Sequence, residues 1–238
     1  MNLCILTTDT PHHAYFVRSL REKFPATRVF CETGISKKPA VNLCLFEKQS
    51  EEWEWKIWFQ GKKTSITALA STQSFPSLNT PEALSSFQAA RPDIVVVFGT
   101  GILKEPVLRV QPERTFNLHG GDPEVHRGLD THLWAIHERR FAGLVTTLHR
   151  IDVGIDTGEI VERVSLPIEK NMELFELRAM NTEVCLQMTL RMIRTLAANA
   201  VIHSFPQVER GRYFTSMPPE IKEQCPAIFR QYTANLGQ

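Results

Sequence analysis

A Rossmann-like α/β fold, a mostly parallel sheet flanked by helices with a short C-terminal extension, is predicted by three features of this sequence. Short β-rich runs alternate with helical patterns through about the first hundred residues, as βαβ units do. The run Ile94–Phe98 is apolar at every position, as a strand covered on both faces must be. From Met172 to Ala198, the residues Leu177, Val184, Met188, Met192 and Leu196 recur at steps of seven, four, four and four, the stripe of one long helix.

The first strand is Leu3 to Thr7. The polar turn Thr8-Asp9-Thr10-Pro11 follows, then a helix whose Tyr15, Phe16, Leu20 and Phe24 share one face. Arg28 to Cys31 reads as the second strand. Between about Gly34 and Pro81 the pattern loses regularity and carries Trp53, Trp55, Trp58 and Phe59 in one cluster. Aromatics so spaced pack a core or a subunit contact rather than stack bases or a sugar, and a homodimer is expected on their account. A helix from Pro81 to Ala90 leads into Ile94–Phe98, which ends at Gly99-Thr100-Gly101. In an open α/β sheet the carboxyl ends of the strands form the ligand crevice, so this turn is a candidate pocket wall. Thr115 to Leu118, Val145 to His149 and Ile160 to Leu166 are further strands, with a helix from about Asp130 to His137. After Val201 come Pro206, Pro218, Pro219 and Pro226, so residues 1–200 are expected to form the catalytic domain and 201–238 an irregular extension packed on it.

Lys and Arg number 27 against 26 Asp and Glu, a net charge of +1, so no general attraction to nucleic acid or an anionic membrane exists and an anionic partner must be held locally. The apolar runs fall far short of the roughly 20 residues a bilayer crossing needs. Met1-Asn2-Leu3-Cys4-Ile5-Leu6 enters a strand pattern without a secretion leader, which makes cytoplasm the expected location. Cys4, Cys31, Cys44, Cys185 and Cys225 are odd in number and form no CxxC pair, which excludes a disulfide framework and a cysteine zinc site. Cys4, Cys31 and Cys185 lie in apolar runs, where thiols are buried and inert.

Five of the eight histidines, His119, His126, His132, His137 and His149, fall in one segment with Asn117, Asp122, Asp130, Asp152 and Asp156. Two chemistries compete there: a histidine–carboxylate metal site, and acid–base work without metal. His132 and His137 are five apart, which turns them to different sides of a helix, and no HExxH is present. Asn117 and His119 stand two apart at a strand end, so alternation puts an amide donor and an imidazole on one face. That pair suits acyl transfer: the amide N–H can stabilise a developing oxyanion, and the imidazole can relay a proton or stabilise charge. In His149-Arg150-Ile151-Asp152-Val153-Gly154-Ile155-Asp156-Thr157-Gly158, glycines flank Asp156 and permit tight turns that present it at a pocket rim. A carboxylate beside His119 is expected to raise its pKa and fix its orientation. Asp152 reads as a solvated turn residue.

The combination of Asn117-x-His119, the following Arg127-Gly128, and Thr147-Leu148-His149-x-x-Asp152-x-Gly154-x-Asp156-x-Gly158 resembles the 10-formyltetrahydrofolate-dependent formyltransferases from about Pro92 to Leu166. The resemblance implies Asn117, His119 and Asp156 as the catalytic trio, and 10-formyltetrahydrofolate as formyl donor with no metal. It implies a folate site formed by Gly99, Thr100, Gly101, Ile102 and Leu103 with Arg150, Ile151, Asp152, Gly154 and Asp156, read mostly by backbone atoms. It implies an unprotonated amine attacking the formyl carbon, with Asn117 and His119 holding the oxygen, Asp156 supporting His119 and assisting proton movement, and His149 as scaffold.

The family's usual Pro-Ser-Leu-Leu-Pro is replaced here by Gly120-Gly121-Asp122-Pro123-Glu124, so the acceptor side is altered. After the first strand, Thr7-Thr8-Asp9-Thr10-Pro11-His12-His13 stands in place of the phosphate loop of glycinamide ribonucleotide transformylases. The basic C-terminal domain of methionyl-tRNA formyltransferases is not expected, nor is tRNA binding. By elimination the pattern resembles the sugar N-formyltransferases, which act on the amine of a nucleotide-linked aminosugar used in surface polysaccharides. An ornithine-type amine, glycinamide ribonucleotide or hydrolysis of formyltetrahydrofolate are the alternatives. From other classes stand a metal-dependent hydrolase and a catalytically silent binding module.

Overall fold

The computed structural model describes residues 1–34, 44–69 and 72–237. The chain runs β1 (Leu3–Thr8), α1 (Pro11–Lys23), β2 (Arg28–Glu32), α2 (Leu45–Phe59), α3 (Ile66–Leu69), β3 (Thr72–Phe75), α4 (Pro81–Ala89), β4 (Ile94–Phe98), α5 (Glu105–Leu108) and β5 (Thr115–His119). It continues through β6 (His126–Gly128), α6 (Thr131–His137), β7 (Val145–Arg150), β8 (Ile160–Ser165), α7 (Leu177–Ala197), β9 (Arg212–Phe214), α8 (Pro219–Lys222) and α9 (Cys225–Ala234). The main sheet has the order β3-β2-β1-β4-β5-β7-β8. Its first five strands are parallel, and β7 and β8 are antiparallel to their neighbours, so the sheet is mostly parallel as expected. Strands β6 and β9 form a separate parallel pair.

Strand alternation divides the core. Leu3, Ile5, Val96, Phe116, Leu118 and Leu148 face one way, onto α1 and α7. Cys4, Leu6, Val95 and Val97 face the other way, onto Phe87 of α4, Val107 of α5, Leu103 and Ile151. β1 and β4 are buried at every position because both faces are covered. Helix starts follow local chemistry: Pro11 opens α1 where its missing N–H is harmless, and the Thr80 hydroxyl caps α4 by accepting from Ala83 N at 3.2 Å. All five cysteines are buried. Among the described residues, no helix is long and apolar enough to cross a membrane.

Two expectations are corrected. The stretch read as irregular contains the 15-residue helix α2, while residues 35–43 and 70–71 of that stretch lie outside the described residues. The helix escaped the periodicity test because its inward face, at steps of four and four, carries Phe46, Ser50 and then Glu54 rather than an apolar stripe. Its aromatics pack within the chain: Trp58 stacks on Tyr15 at 4.1 Å between centroids, and Trp53 meets Phe175 edge-on at 5.7 Å. The tail is likewise not irregular throughout. Helix α9 tolerates Pro226 in its first turn and buries Phe229 completely against a cluster that includes Ile136 and Leu174.

Candidate active site

β5 ends at the sheet's carboxyl edge beside the central strand β4, and its alternation sends Phe116 and Leu118 to the α7 face and Asn117 and His119 to the other. Across the antiparallel pairing Asn117 lies opposite His149 and His119 opposite Thr147. The His149 Nδ1–H is committed to the Arg150 carbonyl at 2.7 Å. In the neutral ring Nε2 therefore accepts, and the Asn117 amide donates to it at 3.0 Å. The second Asn117 hydrogen points toward Asp156 Oδ1 at 3.4 Å, a long contact that another acceptor can replace.

His119 is held at both ring nitrogens. Nε2–H donates to the His126 carbonyl at 3.1 Å, which leaves Nδ1 as the titrating atom, 3.4 Å from Asp156 Oδ2. The sequence expectation of a raised His119 pKa is overturned. Burial lowers it, the Asp156 charge raises it by less, and the nearby His149 adds to the lowering. His119 is accordingly neutral at physiological pH, its Nδ1 lone pair facing a carboxylate.

Asp156 sits in left-handed backbone at φ 52° and takes the Gly128 amide on Oδ2 at 2.8 Å. Burial pushes its carboxyl up, but a hydrogen bond from His149 and the charge of the His119 ring, each in its protonated form, together with the Gly128 N–H outweigh that and bring its pKa down to about 2 from the ordinary 3.8. Gly128 can be no other residue: its φ is 95°, and a Cβ would lie 2.1 Å from the Phe214 carbonyl.

A cavity of about 660 Å³ opens over this cluster. Its wall includes Asn117, His119, Asp156, Gly99, Thr100, Gly101, Ile102, Leu103, Ile151, Asp152 and Gly154. Arg150 is the exception among the residues expected there. One step after His149, it takes the face of Phe116, with its guanidinium 5.3 Å from that ring and bonded to Ser204 Oγ and the carbonyls of Glu113 and Ile202. It fastens the tail and does not reach the cavity. Asp152 closes its own turn, accepting from Gly154 N at 2.9 Å and the Thr157 hydroxyl at 2.6 Å.

The site is supported by Glu32 and Gln207, which no sequence signal marks, and by Arg127 and His132, which the motif and the histidine cluster contain. Buried Glu32 pins the turn after β4 by accepting from Gly101 N at 2.7 Å. Arg127 donates to the carbonyls of Ile155 and Gly211, and Gln207 donates to those of Asp156 and Gly158, each at 2.9 Å, so the tail braces the aspartate loop. His132 lines the cavity with Nε2–H on the Val145 carbonyl at 2.7 Å, and burial takes its pKa down to about 4. The paired Arg127-Gly128 was the available signal for the loop brace; the others are contacts between residues distant in sequence. The substituted segment after His119 is anchored on β8, where Arg163 bridges Asp122 at 3.0 Å and Glu124 at 2.7 Å.

A family model described as Formyl transferase matches residues 35–189. Over 100 residues the chain is 31% identical to the methionyl-tRNA formyltransferase of Trichlorobacter lovleyi, a match covering 42% of this chain and 31% of that protein. The chain thus spans about a third of that relative's length. The formyltransferase PseJ from Anoxybacillus kamchatkensis, solved with UDP-4,6-dideoxy-4-formamido-L-AltNAc and tetrahydrofolate, shares the fold at 18% identity and a TM-score of 0.55, over 100% of this chain and 93% of that one. WlaRD, a sugar 3N-formyltransferase solved in the presence of dTDP and 5-N-formyl-THF, does so at 17% identity and a TM-score of 0.59, over 98% and 81%.

Proposed function

The chain belongs to the formyl transferase family, and on that premise we propose that it moves a formyl group from 10-formyltetrahydrofolate to a primary amine, with Asn117, His119 and Asp156 as the catalytic residues. The observation that carries this reading is the convergence of an amide donor, a neutral imidazole and a carboxylate on one cavity wall.

The folate donor suits the cavity. The Gly99–Leu103 turn faces the Ile151–Asp156 loop, and Gly99 holds φ 74° at a point where a Cβ would lie 2.2 Å from His13 Nε2, so its backbone alone fits there. Gly101 is fixed by Glu32, which makes this a rigid backbone edge able to read a flat heterocycle by its amides and carbonyls. When bound, the donor supplies an activated one-carbon carbonyl. Asn117 offers its second amide hydrogen to the oxygen that gains negative charge. His119 takes the proton of the attacking amine on Nδ1, since Nε2 is committed to the His126 carbonyl. Asp156 stabilises the imidazolium so formed and assists return of the proton toward the departing nitrogen. His149 and Arg127 hold Asn117 and the aspartate loop in place.

The acceptor we assign is the amino group of a nucleotide-linked aminosugar, supported by the nucleotide sugar and dTDP of the PseJ and WlaRD structures. An ornithine-type amine is the second reading, favoured by a cavity wall whose described part contains Arg178 as its only Lys or Arg. Residues 1–200 are proposed as the catalytic domain, with 201–238 as an extension that braces it through Gln207 and the Gly211 carbonyl. Incubation with 10-formyltetrahydrofolate and a panel of UDP- and dTDP-linked aminosugars, ornithine and water alone should release tetrahydrofolate with one amine well above the water rate. No release with any acceptor, water included, would refute the proposal.

A further inference from the structure

Arg178 of α7 occupies an unusual position on that wall. Its Nε and Nη2 both bond Glu54 of α2, at 2.6 and 2.8 Å, while its Nη1 has no hydrogen-bond partner among the described residues. Glu54 has no solvent exposure and takes a place on α2 where an apolar side chain would ordinarily pack. Burying a carboxylate carries a steep desolvation cost, and an apolar pair commonly holds two helices as well or better. What the ion pair adds is a guanidinium locked along one edge, with the other edge available at the cavity. His12 also lies near Glu54, its Nδ1 3.7 Å from Oε2. Burial and then the Arg178 charge lower the His12 pKa, so His12 brings no second positive charge.

Arg178 belongs to α7, which covers a different sheet face from the one the folate loops pack on, although its partner Glu54 lies near His12, next to the His13 that abuts Gly99. Leu103 and Ile151, from those loops, pack with the α4 and α5 face of the sheet, whereas α7 packs on the opposite face. Asn181 is three residues along α7, a separation of about 5–6 Å between Cβ atoms. It accepts from the Thr146 hydroxyl at 2.6 Å, and its Nδ2 is 3.6 Å from where a Cβ on Gly120 would be. Gly120 directly follows His119. From the reacting region the wall therefore runs over the strand end, past Gly120 and Asn181, to Arg178 about one helical turn farther on.

We infer that Arg178, oriented by Glu54, is an anion receptor on the acceptor side of the cavity, and that the amine formylated here carries an anionic oxygen group, carboxylate or phosphate, within reach of it. This rests on the formyl-transfer reading of the same cavity. Arg178 then selects the acceptor by binding rather than by chemistry, and Glu54 is its positioning residue.

The test is titration calorimetry of the full chain saturated with tetrahydrofolate, using UDP as the phosphate probe and L-ornithine as the carboxylate probe. One of the two should bind, identifying the anion. Arg178→Gln should weaken that binding ten- to a hundredfold and leave tetrahydrofolate affinity unchanged. An unchanged probe affinity in Arg178→Gln, even with a lower Tm, would show a purely structural ion pair and overturn the inference. So would failure of both probes to bind the folate-loaded protein. If tetrahydrofolate itself does not bind the wild type, the formyl-transfer reading falls and takes this inference with it. Should Arg178→Gln not fold, Arg178→Lys decides, because it keeps a charge against Glu54 without the planar fork: a loss of at least threefold supports the inference, and unchanged affinity overturns it.

Discussion

Replacing Asp156 by Asn keeps the side chain's size and a residue that accepts left-handed backbone, the φ 52° observed there, while it removes the charge and turns one of the two acceptor oxygens into an amide donor. The Asp156 pKa falls from 3.8 to about 2 in the folded protein. At about 1.4 kcal/mol for each pKa unit, the environment favours the ionised form by about 2 kcal/mol. The carboxylate is only 11% exposed, so solvent screening removes little of this. Because the folded pKa lies below the unfolded one, that stabilisation is complete above about pH 4 and is lost as pH falls toward 2. Urea unfolding at pH 7, 4, 3 and 2 should show the wild type losing about 2 kcal/mol relative to Asp156→Asn across the acid range. Parallel curves for the two proteins would refute the assigned hydrogen bonds and charges around Asp156. In the same variant, tetrahydrofolate release should fall by at least a hundredfold, since His119 loses the group that stabilises its protonated form. A decrease of less than tenfold would refute that role.

Asn117→Ala should lower turnover by about two to three orders of magnitude, as loss of an oxyanion donor does, and a drop under tenfold would show that Asn117 does not face the reacting oxygen. The rate of formyltetrahydrofolate hydrolysis, which avoids the amine's own ionisation, should lose activity on its acid side at a pH below 6.5, because burial lowers the His119 pKa and the neutral ring is the active form; an acid limb above 6.5 would contradict this. Gly128→Ala should destabilise the protein by about 2 kcal/mol or more in urea unfolding, since a Cβ meets the Phe214 carbonyl and the backbone is left-handed; a change under about 0.5 kcal/mol would contradict the packing. Arg150→Ala should leave tetrahydrofolate affinity unchanged while lowering stability by about 1–2 kcal/mol, and a weakened folate affinity at unchanged stability would return Arg150 to the folate site.

The elements most legible in the sequence are those in which burial and periodicity agree. Ile94–Phe98 is covered on both faces and reads as a continuous apolar run, and the stripe Leu177 to Leu196 reads as one helix because a single face of α7 carries the packing. Asn117 and His119 could be placed together because strand alternation is strict, and the same rule would have turned Arg150 away from the cavity, one residue after His149. Helix α2 is hidden because Ser50 and Glu54 occupy its buried face, and Glu54 is satisfied there chiefly by Arg178, a residue far along the chain, with His12 nearby. The His119 pKa was misjudged for a related reason: proximity to Asp156 is suggested by motif, whereas burial, the larger influence, is a property of the assembled fold. Glu32 and Gln207, distant in sequence, hydrogen-bond backbone groups of the two loops that line the cavity, and such contacts leave no periodic or motif trace.

Binding geometry tests the formyl-transfer assignment most directly, through a crystal structure of the full chain with 5-formyltetrahydrofolate, a stable isomer of the donor. The heterocycle should lie between Gly99–Leu103 and Ile151–Asp156, with the formyl group next to Asn117 and His119 and its oxygen about 3 Å from the Asn117 amide nitrogen. A folate bound elsewhere, or with its formyl group turned away from Asn117, His119 and Asp156, would contradict the assignment.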